Sequence, residues 1–127
     1  MQYKALVVDD SKLARMVMAS AFRRVRPEWG LTEANNAEDA LRAIAEQAVD
    51  LALVDFNMPV TDGLELVARI REGYPEMPVA LVSANIQEEI VARARGLNAV
   101  FIAKPLTDEA LTAFLSGAAL RLKRAAL

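Results

Sequence analysis

The sequence predicts a doubly wound α/β fold, with five strands alternating with five helices around a parallel sheet. Three observations carry that prediction. Four short apolar runs recur along the chain, each continuous rather than alternating, as in strands buried on both faces. Longer segments with helical spacing separate them, and strand–helix alternation implies right-handed crossovers between parallel strands. No linker, internal repeat or low-complexity stretch interrupts the series and the last helix uses up the chain, so one domain over residues 1–127 is expected.

The first strand is Ala5-Leu6-Val7-Val8. A helix over 11–26 follows, with Ser11 as its N-cap. Lys12, Arg15, Arg23 and Arg26 share one of its faces, with only Ala19 between the two pairs. Ala14, Met18, Ala21 and Val25 widen its apolar arc beyond the stripe that a core requires. Leu31-Thr32-Glu33-Ala34 is more polar and suits an edge strand. The second helix, 36–48, starts from an Asn36 cap and presents Leu41, Ile44, Ala45 and Ala48 as its stripe.

Leu51-Ala52-Leu53-Val54 is the third strand, and 63–72 the third helix, opened by Asp62-Gly63 after a turn at Pro59. Val79-Ala80-Leu81-Val82 is the fourth strand. The helix over 87–95 is expected to stop at Gly96 as the residue just past its end. Ala99-Val100-Phe101-Ile102 completes the sheet, and 108–124 forms the last helix.

Composition narrows the chemistry. Of 127 residues, 54% are hydrophobic and 25% charged, which supplies a core and excludes a disordered chain. Fifteen basic against seventeen acidic residues leave a net charge of −2, unlike a protein that coats nucleic acid. There is no cysteine and no histidine. That removes disulfides, thiol nucleophiles, zinc and copper sites, and Ser-His-Asp catalysis. Any metal must be a hard cation bound through oxygen. No apolar run reaches the roughly 18 residues of a membrane span. Met1–Lys4 shows no basic stretch leading into an apolar one. A soluble, cytoplasmic protein is expected.

The polar residues collect at strand ends. Asp9 and Asp10 follow the first strand, Asp55 the third, Ser83 the fourth and Lys104 the fifth. In open α/β sheets the carboxyl edge holds the ligand crevice where strand order reverses, which for the order 2-1-3-4-5 lies between strands one and three. Two carboxylates about 4 Å apart repel by on the order of 4 kcal/mol at an effective dielectric of ~20. Such a cluster needs a cationic partner, and Mg²⁺ held by carboxylates, a carbonyl and waters is the natural candidate. With Lys104 as a fixed positive charge and Ser83 as a hydroxyl donor, the set describes a phosphoryl site. A carboxylate can itself accept the phosphoryl group. Spacing alone leaves the acceptor open; Asp55 stands apart and is the better candidate, while Asp9 and Asp10 look like a metal pair.

These residues resemble the receiver (response regulator) domains of two-component signalling, the single-domain chemotaxis-type regulators included, whose sheet is flavodoxin-like. The resemblance spans essentially the whole chain. It rests on Val7-Val8-Asp9-Asp10-Ser11, Val54-Asp55-Phe56-Asn57-Met58-Pro59 with Asp62-Gly63, Ser83-Ala84 and Lys104-Pro105. It implies that Asp55 accepts a phosphoryl group from a histidine kinase or histidine phosphotransfer protein. It also implies that Asp10, Asp55 and the Asn57 carbonyl bind Mg²⁺, with Asp9 holding a metal-bound water. Lys104 and Ser83 would contact phosphoryl oxygens, and Phe101 would be the aromatic that turns inward on activation. Asn57 and Asn85 match positions that tune hydrolysis of the aspartyl-phosphate, and Lys104-Pro105 matches a bond that is commonly cis. Two departures stand out: Ser83 where many members have Thr, and Phe101 where many have Tyr.

The expected function is a phosphorylation-dependent switch that remodels the face of the fourth helix, fifth strand and fifth helix, read by a downstream protein. It catalyses only its own phosphotransfer and dephosphorylation. Surplus apolar surface on the first helix, Met18 included, is assigned to phosphodonor docking. No direct nucleic-acid or membrane binding is expected, and homodimerisation on phosphorylation is left open. The main alternative is a receiver-fold binding module that is never phosphorylated. An aspartyl-phosphate phosphatase is disfavoured because it needs two Asp separated by one residue after the first strand. A flavin module is disfavoured because no hydroxyl-rich phosphate loop follows that strand.

Overall fold

The computed structural model describes residues 3–126. Met1 and Gln2, part of the segment read for a leader, and Leu127 lie outside them. The elements run β1 Lys4–Val8, α1 Lys12–Val25, β2 Gly30–Ala34, α2 Ala37–Gln47, β3 Leu51–Asp55, α3 Gly63–Gly73, β4 Val79–Ser83, α4 Glu88–Gly96, β5 Val100–Ala103 and α5 Asp108–Ala125. All four strand pairings are parallel, in the order β2-β1-β3-β4-β5. This is the predicted doubly wound sheet, with the more polar β2 at one edge and the four-residue β5 at the other. No described helix is long and apolar enough to cross a membrane.

Alternation along each strand feeds two cores. Leu6, Val8, Ala52, Val54, Val79 and Leu81 face α2, α3 and α4. Ala5, Val7, Leu51, Leu53, Ala80 and Val82 face α1 and α5. The runs read as continuous in sequence because both sides of the sheet are covered. Side-chain caps start four helices where the sequence supplies short polar residues. Ser11, Asn36, Asp62 and Thr107 accept from the backbone N–H groups of Ala14, Asp39, Glu65 and Ala110, each worth about 1 kcal/mol. The Gln87 start of α4 has no such bond.

Three expectations are corrected. Met18 and Ala21 are core residues, as are Ala19 and Phe22. The wide apolar arc of α1 is needed because α1 packs on α5 as well as on the sheet. Arg24 donates to both carboxylate oxygens of Asp108 across that seam, at 2.8 and 2.9 Å. The apolar side chains left exposed on α1 are Leu13, Met16 and Val17. The four basic residues of α1 differ in exposure: Lys12 and Arg23 are exposed, Arg15 is half-buried, and half-buried Arg26 stacks 5.4 Å from the Trp29 ring. In α2, Ala45 and Ala48 are exposed, and the inward stripe is Ala37, Ala40, Ala43 and Ile44 with Leu41 beside it. These small residues let the helix lie close to β1 and β2.

The third correction concerns the end of α4. Gly96 is its last helical residue, and the left-handed backbone falls on Asn98, with φ 57°. Asparagine tolerates that region. The loop is also pinned, because Arg71 donates to the carbonyls of Leu97 (2.6 Å) and Asn98 (3.0 Å).

The β3–α3 loop holds a strained residue. Val60 has φ 67° and a fully exposed side chain, so burial does not compensate a β-branched residue in the left-handed region. Such strain costs on the order of 1 kcal/mol or more. Val60→Asn is expected to stabilise the fold by about 1 kcal/mol and raise Tm by roughly 3–5 °C, as read by calorimetry. An unchanged Tm would show that the loop holds Val60 without strain.

Candidate functional site

The β3 strand drags its last residue inward. Leu51–Val54 are fully buried, and Asp55 at their end is 2% exposed. Its Oδ2 accepts the backbone N–H of Asn57 at 3.0 Å, a local turn typical of aspartate. Its Oδ1 lies 2.6 Å from Lys104 Nζ. That ion pair is off the axis of a hydrogen bond, and Oδ1 has no other partner. Lys104 reaches in from the segment after β5, whose backbone is tied to the neighbouring strand by Lys104 N–H donating to the Ser83 carbonyl at 2.9 Å. The Lys104-Pro105 bond is cis, as expected.

Asp9 follows β1 and is equally buried. Its Oδ1 accepts the Ser11 N–H at 3.0 Å, while Oδ2 is buried without a partner. Asp10, next in the chain, is exposed. One carboxylate oxygen from each of Asp9, Asp10 and Asp55 lies within 4.8 Å of the others. Burial pushes the Asp9 carboxyl above its ordinary value of 3.8; the Ser11 N–H pulls it down, Asp55 pushes it up, Lys104 pulls it down and Asp10 pushes it up. One lysine therefore faces three carboxylates.

The cluster passes the test for a hard divalent cation. It offers oxygen donors only, an excess of negative charge, and an orphaned buried oxygen on Asp9 that costs free energy while it lacks a partner.

Asp55, Asn57, Ser83, Asn85 and Lys104 line one cavity of ≈ 280 Å³. The Ser83 hydroxyl is turned to its own loop, accepting from Asn85 N–H at 2.9 Å and donating to Asn85 O at 3.1 Å. Phe101 lies outside this cavity. It is half-buried, packs on the α2–α3–α4 side and walls a ≈ 600 Å³ groove between β5 and α5. A third hollow, ≈ 370 Å³, runs from Asp9 and Lys104 along Leu13, Val17 and Leu106.

Two residues in this region were not singled out for the site from sequence. The sequence marks Gly63 as a helix start within the run that carries the resemblance, with no role in the site; a Cβ there would fall 2.4 Å from the Asp55 carbonyl and 2.7 Å from Phe56 Cα, so the start of α3 presses on the end of β3. Arg15 belongs to the basic face of α1, and its Nη1 donates to the Asp9 carbonyl at 2.8 Å. A signal for it exists, because helical side chains lean towards the N-terminus. An arginine one turn into the helix after an acidic pair leans back over that pair.

Residues 5–116 match the family model described as response regulator receiver domain. Over 83 residues the chain is 41% identical to a protein-glutamate methylesterase/protein-glutamine glutaminase of Hahella chejuensis, covering 63% of this chain and 22% of that protein. It is 34% identical over 121 residues to the sensor histidine kinase RcsC of Salmonella typhi, covering 94% of this chain and 12% of the kinase. The chain thus spans a small part of the relatives it matches. The chemotaxis protein CheY4 of Vibrio cholerae superposes with a TM-score of 0.83 at 24% identity, covering 93% of this chain and 99% of that one, a likeness of fold.

The raised Asp9 carboxyl sets a pH dependence. The folded state holds this proton more tightly than the unfolded one. The Asp9 contribution to the stability of the metal-free fold is therefore fully present below about 3.8 and is lost as pH rises from there through the folded-state value. Asp9→Asn is expected to match the wild type in acid and to exceed it at pH ~7 in the presence of a chelator. Added Mg²⁺ should reverse that order. Urea unfolding across pH checks both, and a wild type as stable as the variant at neutral pH without metal would refute the assignment.

Proposed function

The chain belongs to the response regulator receiver domain family of signalling switches, and on that premise we propose that Asp55 is the phosphoacceptor of a Mg²⁺-dependent switch. The observation that carries the reading is the Asp55 carboxylate, buried at the end of β3 with Lys104 at 2.6 Å and two further carboxylates beside it.

In the proposed transfer an Asp55 oxygen attacks phosphorus, the bond from phosphorus to the donor nitrogen breaks, and an acyl phosphate forms. The donor is a histidine kinase or a histidine phosphotransfer protein. Lys104 exchanges its carboxylate partner for a phosphoryl oxygen. Ser83 gives up its bonds to Asn85 and donates to another phosphoryl oxygen. Phe101 then turns inward from the β5–α5 groove, and a downstream protein reads the altered α4–β5–α5 face. Such a change is a population shift between two packings, biased by the new hydrogen bonds. Water resets the switch by hydrolysing the acyl phosphate, with Asn57 and Asn85 lining the approach and setting its rate.

Asp10, Asp55 and the Asn57 carbonyl would hold Mg²⁺, with Asp9 ordering a bound water. When bound, the cation supplies neutralisation of the phosphoryl oxygens. The reading makes the chain a cytoplasmic signalling component with no catalysis beyond its own phosphotransfer and dephosphorylation. The phosphodonor docks on the exposed Leu13, Met16 and Val17 of α1, of which Leu13 and Val17 border the hollow leading to Asp9 and Lys104.

Incubation with acetyl phosphate is expected to add one phosphoryl group by intact-mass spectrometry, to require Mg²⁺, and to fail in Asp55→Ala. Should neither acetyl phosphate nor a phosphohistidine donor modify the wild type, the unphosphorylated binding module would replace this reading. Leu13→Asp combined with Val17→Asp is expected to slow transfer from the cognate histidine donor about 10-fold or more. Labelling by acetyl phosphate should be unaffected. Equal slowing with both donors would place the docking surface elsewhere.

A further inference from the structure

Arg15 sits one turn into α1, with its guanidinium over the Asp9–Asp10 turn. Nη1 donates to the Asp9 carbonyl at 2.8 Å, and Nε donates to Glu33 Oε1 at 3.3 Å. The arginine side chain is 15% exposed and the glutamate 37%, so the arrangement is partly shielded. A charge-assisted bond to a carbonyl there is worth more than an ion pair in open water. The N–H of Asp9 donates to Ala34 O at 3.2 Å. Both polar groups of the Asp9 backbone are thus tied to β2, one directly and one through Arg15 and Glu33.

The consequence falls on Asp10. Among the described residues nothing holds its carboxylate by a hydrogen bond or ion pair. The Asp9 carbonyl that Arg15 grips belongs to the peptide leading into Asp10, so the bond restrains ψ of Asp9 and φ of Asp10. An uncompensated change in either angle would shift the Asp10 carboxylate relative to Asp9 and Asp55. We infer that Arg15, braced by Glu33, is a positioning residue that keeps Asp10 in register with the other two carboxylates and thereby sets the affinity of the cluster for a divalent cation. The inference rests on the Mg²⁺ reading above.

Positioning and plain charge predict opposite signs. Arg15 carries a positive charge on the Asp9–Asp10 turn, so by Coulomb's law alone its removal tightens Mg²⁺ binding. If it positions Asp10, its removal weakens binding. Glu33 gives a second comparison: Glu33→Gln and Glu33→Ala remove the same charge, but only glutamine leaves an acceptor for Arg15 Nε.

The test is a Mg²⁺ titration of ¹⁵N-labelled chain at constant ionic strength, with affinity read from the amide shifts of Asp10 and Ser11. Arg15→Gln is expected to weaken Mg²⁺ about 10-fold, with part of the loss recovered in Arg15→Lys. Glu33→Ala is expected to bind about 3-fold more weakly than Glu33→Gln. The metal-free spectra of β3, β4 and β5 should stay unchanged, which a general loss of structure would not allow. Unchanged or tighter binding in Arg15→Gln overturns the inference and leaves the metal site standing. If Arg15→Gln does not fold, equal affinity of the two Glu33 variants overturns it instead. Absence of any Mg²⁺-dependent shift in the unsubstituted chain removes the metal reading, and the inference with it.

Discussion

Three carboxylates facing one lysine at the carboxyl edge of the sheet is the constraint on which the rest of this structure turns. Asp9 and Asp55 are buried there, where like charges repel and an unpartnered oxygen is costly. A parallel sheet makes the cluster unavoidable once acids follow β1 and β3, because adjacent parallel strands end on the same edge. Local amides soften it. The Ser11 N–H serves Asp9 and the Asn57 N–H serves Asp55, and each comes from the turn that leads its chain away. What these donors leave unmet is the excess negative charge of the three carboxylates, which a cation would offset.

Packing around that edge is uneven, and the unevenness bears on switching. β1, β3 and β4 are buried along their whole lengths or nearly so, and Gly63 lets α3 press on the end of β3. That half of the site is tightly packed. On the other side, α4 buries only Ala94 and lacks a side-chain cap, while β5 is a short edge strand with two exposed residues. The far end of α4 is pinned through Arg71, which grips four backbone carbonyls at Tyr74, Met77, Leu97 and Asn98. The end beside Ser83 and Asn85 has no comparable hold. In the proposed switch a signal from Asp55 would therefore meet its weakest resistance through Ser83 towards α4 and β5. Phe101 stands half-buried at that boundary.

Most of the fold was legible in the sequence because its signals are local. Strands covered on both faces need continuous apolar runs, and each such run became a strand to within a residue at either end. Ser11 and Asn36 announced their helices because a short polar side chain is what an exposed helix start needs. Misreadings arose where a second neighbour intervened. The apolar arc of α1 looked excessive for a sheet contact, but α5 packs against it too. Gly96 looked like a terminator, yet the loop beyond it is held by an arginine from α3, and Asn98 takes the turn.

The site divides in the same way. That Asp9, Asp10, Asp55, Ser83 and Lys104 share one edge follows from their places after strands, a matter of chain order and the topology that alternation implies. Their pairing does not. Lys104 meets Asp55 rather than Asp9, Ser83 bonds to its own loop, Asp9 keeps one oxygen without a partner, and Arg15 grips the Asp9 carbonyl. Each outcome depends on strand register and on how far a side chain reaches between segments distant in sequence. The sequence by itself determined which chemical groups gather at the edge, because periodicity and neighbouring residues carry that information. Only the tertiary structure decided which of them touch, because contact distances arise from the packing of all five strands and five helices at once.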